Sequence, residues 1–499
     1  MKENQSSYRS IMKATSLFGG VQVFNIIIAI IRSKIIAVLL GPAGLGIIGL
    51  LTATTKLVSS LTNFGLGTSA VRDIAAANDS GNQNRINKVV MVFRRLVWVT
   101  GLLGAGITFI SAPWLSQLTF GNKEYTCAFM WVSCSLLFNQ LASGQNVLLQ
   151  GMRKLKYLAK SNMLGSFIGL IISAPLYYYF GVDGIVPAII LTALFLLAIT
   201  WYFRRKIKIE RTVVTPEETI LEGKGMLKMG FMLSLSGLIT TGTSYIVRIF
   251  ISNTGSLEDV GLYNAGFAII GTYVGLVFTA MSTDYYPRLS GVSHDNKKAN
   301  LLINQQAEIA VLILAPILTV FIILINWVVV VLYSTKFSPV NGMIQLAALG
   351  MYFKAASFSI GYVLLAKGAS HIFFWSEVVA NAYLLLFNIL GYKYFGLTGM
   401  GFSFLISYIF VLVQVYVIAN YKYKFNFTLI FYKIFGIQLT MGVICFAITM
   451  FVSTPLVYIL GLPFILLSVW YSFKELDKRL NICEILSKFK ESNKNRRLN

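Results

Sequence analysis

The chain has 499 residues, of which 56% are apolar and 12% charged, with 41 glycines and a formal net charge of +23. Ordinary soluble domains carry about 25% charged residues, and a water-facing fold has no way to hide this much apolar surface. Lipid is the solvent that fits. The cysteines, Cys127, Cys134, Cys445 and Cys483, form no CxxC pair and read as packing residues. His294 and His371 are too few and too separate for a metal site. No phosphate-cradling glycine loop is present, and Gly65-Leu66-Gly67 reads as a helix cap or close-packing device. The first apolar run is interrupted by Arg32 and Lys34 and followed by many others, which is not the pattern of a cleaved signal.

A membrane-spanning helix needs about 20 mainly apolar residues. Such runs recur near 14–40, 44–66, 89–112, 125–149, 161–180, 184–203, 229–251, 261–283, 303–333, 340–366, 372–394, 397–420, 427–451 and 455–473. They predict an all-α integral membrane protein of about fourteen helices, since barrel strands would alternate over about ten residues. Basic residues then set the orientation. Loops on the side of the N-terminus, with the C-terminal tail, hold 34 Lys and Arg, whereas the opposite loops hold only Lys123, Lys336 and Lys393. Positive loops stay inside, so both termini are expected in the cytoplasm. The basic balance is then explained by anionic lipid headgroups, without nucleic acid.

The organisation that follows is a cytoplasmic N-terminus at 1–13, a six-helix N-lobe at 14–203, a charged cytoplasmic linker at 204–228, a six-helix C-lobe at 229–420, two further helices within 427–473 and a basic cytoplasmic tail at 474–499. In the tail, Leu476, Leu480, Ile485 and Leu486 can share one face of an interfacial helix. The two lobes rest on an internal echo at a shift of about 216 residues. Arg32 precedes Gly44-Leu45 as Arg248 precedes Gly261-Leu262. Arg72 and Arg288 follow corresponding spans, Gly151 is matched to Gly368, and Phe180-Gly181-Val182-Asp183-Gly184 is matched to Phe395-Gly396-Leu397-Thr398-Gly399. An even number of helices per unit brings both in from the same side. The lobes are therefore expected to be related by a pseudo-two-fold axis along the membrane normal, a parallel repeat. Two such lobes around a central cavity form an architecture that rocks between inward-open and outward-open states.

Five basic residues fall inside spans: Arg32, Lys34, Lys56, Arg248 and Lys354. Each costs roughly 2.5–3.5 kcal/mol at a helix centre facing lipid, so they are expected to face protein or a watery cavity. Arg32 and Lys34 point about 200° apart on a helix, and these two and Arg248 lie close enough to the outer end to snorkel. Lys56 and Lys354 are nearer mid-span and are the stronger cavity candidates. Glu377 is the one carboxylate well inside a span, and reads either as a structural partner or as a coupling site for a proton or cation. A cavity with surplus positive charge attracts an anion. The aromatic runs Tyr177-Tyr178-Tyr179-Phe180 and Tyr392, Tyr394, Phe395 read as an outer interfacial belt.

Gly41-Pro42-Ala43-Gly44-Leu45-Gly46, Phe120-Gly121-Asn122 with Tyr125, and Leu149-Gln150-Gly151-Met152-Arg153 leading into Ala159-Lys160 carry a resemblance. Their order and placement are similar to those of Wzx-type O-antigen and polysaccharide repeat-unit flippases. Over roughly 10–475 the chain resembles the polysaccharide transport branch of the multidrug/oligosaccharidyl-lipid/polysaccharide (MOP) exporter superfamily, whose fold is MATE-like. Lys34 stands at a basic position that some relatives carry seven residues before the Gly-Pro-Ala-Gly motif, and Thr52 stands where some carry Arg. The resemblance implies an undecaprenyl-diphosphate-linked glycan as substrate, moved from the cytoplasmic to the outer leaflet of a bacterial inner membrane. It implies membrane lipids, a polysaccharide polymerase and a chain-length regulator as partners. No cofactor is expected. An inside-negative potential favours outward movement of each negative charge by roughly 2.3 kcal/mol per 100 mV, and H+ or Na+ coupling is the other source of direction.

The rivals are a lipid II flippase, which also wants a cationic cavity, and a drug/cation antiporter, which should carry carboxylates in its N-lobe spans; this N-lobe has none at mid-span. An O-antigen polymerase or ligase would need a large outer loop, and no outer loop here exceeds roughly a dozen residues.

Overall fold

The computed structural model describes residues 2–480 apart from Lys208, Arg211, Val213 and Thr454. Among them every regular element is helical. The first half comprises α1 (Lys2–Leu39), α2 (Gly41–Thr62), α3 (Leu66–Asp79), α4 (Gln83–Ile110), α5 (Ala112–Phe120), α6 (Thr126–Gly151), α7 (Leu155–Phe180), α8 (Ile185–Arg205) and α9 (Pro216–Thr254). The second comprises α10 (Leu257–Ala268), a π-helical turn, α11 (Leu276–Gly291), α12 (Asn296–Leu332), α13 (Asn341–Ala366), α14 (Ser370–Tyr423), α15 (Leu429–Phe451) and α16 (Leu456–Leu480).

Ten helices among the described residues are long and apolar enough to cross a membrane, or eleven when the bent α9 is one span. Two of the ten are longer than one crossing: 51 residues at Leu155–Arg205 and 54 at Ser370–Tyr423. At 1.5 Å per residue each exceeds about 75 Å, against a hydrocarbon core of about 30 Å. Both break at a glycine with positive φ, Gly181 at 55° and Gly396 at 58°, so each supplies two passes. The 26-residue α6 is too polar to meet the same criterion, because Asn139, Gln140, Gln145, Asn146 and Gln150 crowd its second half.

The two breaks are the same corner built twice. Before them, Tyr177 and Tyr392 turn inward at 1% and 9% exposure, while Phe180 and Phe395 stand out at 63% and 68%. After them, a Cβ on Gly184 or Gly399 would lie 2.3 Å from the Leu176 carbonyl oxygen or 1.9 Å from that of Gly391, so only glycine fits. Two aromatics read as belt residues, Tyr177 and Tyr392, are therefore packing residues instead. One pairing of the repeat also changes. Arg153 (φ 55°) and Gly368 (φ 71°), 215 residues apart, take the same left-handed position after α6 and α13. Equivalent bonds follow, Lys154 N–H to the Leu149 carbonyl and Ala369 N–H to that of Leu364, both 2.8 Å. Gly368 thus corresponds to Arg153 rather than to Gly151.

By its contacts the chain divides into unit 1, Met1–Leu262 with Val331–Lys336, and unit 2, Tyr263–Val330 with Phe337–Asn499. In unit 1 the buried core joins α3, α4, α6 and α9 through Leu66, Ile74, Phe93, Leu148 and Met226. The second part of the charged linker is already helix. Thr215 and Glu218 form a capping box at the start of α9, and Lys88 of α4 holds Glu218 at 2.8 Å. In unit 2 the core joins α11, α12 and α13 through Tyr285, Leu289, Ile303, Ile360 and Leu364. Of the three described cysteines only Cys445 is buried; Cys127 and Cys134 are exposed and do not pack inside. Cys483, Ile485 and Leu486 lie outside the described residues.

Candidate functional site

In unit 1, α2 has two different faces. Ile47, Leu50, Leu51, Thr54, Val58 and Thr62 are buried at helical spacing. The opposite side carries Thr52, Lys56, Ser59, Ser60 and Asn63, again one turn apart, and Thr52 and Lys56 are exposed. A spanning helix cannot turn such a stripe to hydrocarbon without cost, so it faces protein or water. The Thr52 and Ser60 hydroxyls donate back to the Ile48 and Lys56 carbonyls at 2.6 and 2.8 Å. The Lys56 ammonium has no hydrogen bond or ion pair among the described residues and is left for a ligand or water. A second stripe, Asn139, Ser143, Asn146 and Gln150, runs along α6 with all but Asn146 exposed.

Two devices seat α2. Thr54, Thr119 of α5 and Tyr245 of α9 form a buried hydroxyl knot, with oxygens 2.7 Å apart for Thr119 and Tyr245 and 3.3 Å for Thr54 and Tyr245. At the other end, the Gly-Pro-Ala-Gly-Leu-Gly motif brings α2 against the start of α10. A Cβ on Gly46 would lie 2.0 Å from the Leu257 carbonyl oxygen, and one on Gly261 would lie 1.8 Å from that of Pro42. The motif is thus a backbone contact. Gly65 (φ 63°) at the N-terminus of α3 is likewise both cap and contact, since its Cβ would meet the Gly230 carbonyl at 2.0 Å.

Arg248 lies on a face of α9 with Thr241 and Ser244, half-buried, and its guanidinium donates to the Ser244 carbonyl at 2.9 Å and to the Ser244 hydroxyl. Much of its hydrogen-bonding capacity is therefore held by its own helix. Arg32 and Lys34 of α1 are both half-buried, and burial does not separate them. Lys34 is not without a partner, whereas Arg32 has no hydrogen bond or ion pair among the described residues.

In unit 2 the setting is aromatic. The half-buried Lys354 ammonium on α13 sits 5.1 Å from the ring of Tyr408, 5.5 Å from that of Phe278 and 5.9 Å from that of Phe404. Two helices, α11 and α14, supply the rings of this cage, which attracts the α13 cation through ring quadrupoles. Phe358, one turn beyond Lys354, packs on Phe278 with centroids 4.9 Å apart. Glu377 is half-buried on α14, one turn before Asn381, whose amide donates to the Glu377 carbonyl at 2.9 Å. It makes no ion pair among the described residues. No cluster of three or more His, Cys, Asp or Glu suited to a metal occurs among them either.

Lys56, Arg248, Arg32 and Lys34 thus belong to unit 1, and Lys354 and Glu377 to unit 2. Sequence reasoning missed the aromatic cage, in which Phe278 is far in the chain from Phe404 and Tyr408. It also missed the α6 stripe, for which the helical spacing of Asn139, Ser143, Asn146 and Gln150 was a usable signal.

Solved transporter structures share this fold. The lipid II flippase MurJ in an inward closed conformation superposes with a TM-score of 0.72 at 13% identity, covering 94% of this chain and 99% of that one. An inward-facing multidrug resistance MATE family transporter of the MOP superfamily gives 0.69 at 14% identity, covering 81% and 94%. The chain thus has the polytopic helical fold of these transporters. Residues 35–342, more than half of the chain, match the family described as polysaccharide biosynthesis protein, and the chain belongs to that family. Lipid III flippases of Escherichia coli (strain K12) and Shigella flexneri are each 22% identical to it over 396 residues, 76% of this chain and 90% of theirs.

Proposed function

We propose that the chain flips an undecaprenyl-diphosphate-linked oligosaccharide repeat unit, of the O-antigen or capsule kind, from the cytoplasmic to the outer leaflet of a bacterial inner membrane by alternating access. The observation that carries this reading is the pair of mid-span cations, Lys56 and Lys354, neither with an ion pair among the described residues. A diphosphate cannot cross hydrocarbon unaided, and unpaired cations on non-lipid faces of spanning helices supply the compensating charge. Lys56 and Lys354 are the principal contacts to the diphosphate or to acidic sugars, with Lys34, Arg32 and Arg248 adding to the field. The lipid tail stays in the bilayer. Direction comes from the membrane potential or from H+ or Na+, with Glu377 as the carboxylate available for coupling.

The test is deletion of the gene in the bacterium that carries it. Undecaprenyl-linked repeat units should accumulate on the cytoplasmic side while surface polysaccharide disappears. Wild type should reverse this, and Lys56→Ala and Lys354→Ala proteins inserted at normal levels should not. The lipid III flippases among its relatives favour a second reading, a lipid III or lipid II flippase. In that case a different lipid-linked intermediate accumulates. Normal surface polysaccharide with sensitivity to cationic drugs would reject both readings in favour of an antiporter.

A further inference from the structure

Five cations of unit 1 stand where α4 and α8 approach the basic linker: Arg94, Arg95, Arg204, Arg205 and Lys206. Three of them have partners. Arg95 donates to the Thr219 hydroxyl at 2.8 Å. Arg205 lies over the Trp201 ring at 4.5 Å, and Lys206 over the Tyr202 ring at 4.5 Å. Arg94 and Arg204 differ. Both are half-buried, and neither has a side-chain hydrogen bond, an ion pair or a ring contact among the described residues. The Nε of Arg204 is buried with no acceptor, so water does not relieve its charge.

Packing brings the two arginines to one place. Val90, Phe93 and Val97, which flank Arg94 on α4, are buried in the core of unit 1. Leu197 of α8 and Ile209 beyond it pack against that same core. Arg204 falls between these two contacts, two turns after Leu197 and so on the same face of α8. Arg94 is the charge that bears on Arg204, and no carboxylate among the described residues offsets it. Two half-buried like charges without a counter-charge are costly, so the pair lacks an anion.

Tryptophans mark the depth. Trp98 lies one turn after Arg94, farther from the loop-side end of α4, and Trp201 lies one turn before Arg204, farther from the loop-side end of α8. Each is 49% exposed, as rings at a membrane interface are. On both helices the arginine therefore stands one turn to the loop side of a tryptophan, at the level of lipid phosphates.

We propose that Arg94 and Arg204 form a binding site for an anionic lipid phosphate of the leaflet facing the basic linker. The guanidinium terminal nitrogens donate to its oxygens, a geometry that suits arginine forks, and its negative charge offsets their repulsion. The acyl chains pass beside Trp98 and Trp201 into the bilayer. Basic pockets between spanning helices hold anionic headgroups by this chemistry. Two lipids present it, an anionic phospholipid of the bulk leaflet and an undecaprenyl-diphosphate carrier before entry. Only the second rests on the flippase reading above.

The experiment titrates the full-length protein in neutral detergent with phosphatidylglycerol, undecaprenyl diphosphate and phosphatidylcholine in turn. Binding is counted by native mass spectrometry, and stability is followed by thermal unfolding. Before lipid is added, Arg94→Gln and Arg204→Gln should melt no lower than wild type, because each removes a repelling charge rather than half of a pair. Wild type should bind at least one anionic lipid in preference to phosphatidylcholine and be stabilised by it. Each variant should bind that lipid about tenfold more weakly. Arg204→Lys, which keeps the charge without the fork, should fall between. Binding of phosphatidylglycerol assigns the site to the bulk leaflet, and binding of undecaprenyl diphosphate alone assigns it to the carrier; either upholds the phosphate site. Variants that bind as wild type does overturn the proposal, and so does a wild type that prefers neither anionic lipid to phosphatidylcholine. If one variant fails to fold, the other carries the test, and lower lipid-free melting of both would show the arginines paired within the protein and overturn it.

Discussion

Units 1 and 2 answer the same problem, a cation inside a membrane span, in opposite ways. The comparison is closest on α6 and α13, which end in the same turn 215 residues apart. At that offset Asn139 corresponds to Lys354, Ser143 to Phe358 and Asn146 to Gly361. Unit 1 makes this face a ladder of amides and hydroxyls and places its mid-span lysine on α2, exposed on another polar stripe. Unit 2 places the lysine on the face itself and surrounds it with Phe278, Phe404 and Tyr408. A hydrated lysine exchanges water for a ligand and gains little per charge, whereas a partly desolvated one interacts through a lower dielectric and gains more. The caged lysine should therefore matter more to an anionic cargo than the exposed one.

The largest effect is expected from breaking the frame of unit 1. Gly46→Ala places a Cβ 2.0 Å from a backbone carbonyl that cannot step aside, and overpacking of this kind costs about 1–3 kcal/mol or more. Thermal unfolding in detergent should show a clear loss of stability, while Gly20→Ala, whose Cβ meets nothing within 4 Å, should leave it unchanged. Next comes Lys354→Ala. A hydrogen bond to a charged group contributes about 1.5–3 kcal/mol, so transport of a diphosphate lipid should fall about 10- to 100-fold, measured at matched protein levels. Lys56→Ala should cost less, about 3- to 10-fold, because its ammonium is exposed and its field overlaps that of other unit 1 cations. An equal loss from both lysines would erase the distinction between the units. The smallest effect belongs to the cage: Tyr408→Leu removes one ring, worth about 0.5–1 kcal/mol, and should lower transport about two- to fivefold while Tyr408→Phe retains it.

The sequence made the spans, the repeat and the in-span cations legible because each is a local or periodic property of the chain. Phe180-Gly181 and Phe395-Gly396 could be matched by eye, and the structure gives them the same backbone. What the sequence did not disclose depends on which way a helix is turned. Tyr177 and Tyr178 are adjacent and chemically identical, yet one is 1% exposed and the other 70%. Gly151 and Gly368 look equivalent, but turn geometry pairs Gly368 with Arg153, a residue tolerated at φ 55° beside an ion pair to Asp79. The cage around Lys354 escaped because its rings come from α11 and from the part of α14 after the Gly396 break, and no single window of sequence holds Phe278 together with Phe404 and Tyr408.

The most direct test is translocation in proteoliposomes of one glycan on two carriers, undecaprenyl diphosphate and neutral undecaprenol, followed by the glycan's accessibility to an external enzyme. The diphosphate carrier is expected to move much faster, and Lys354→Ala with Lys56→Ala to remove most of that difference. Equal movement of both carriers, or a double variant that still prefers the diphosphate, would contradict it.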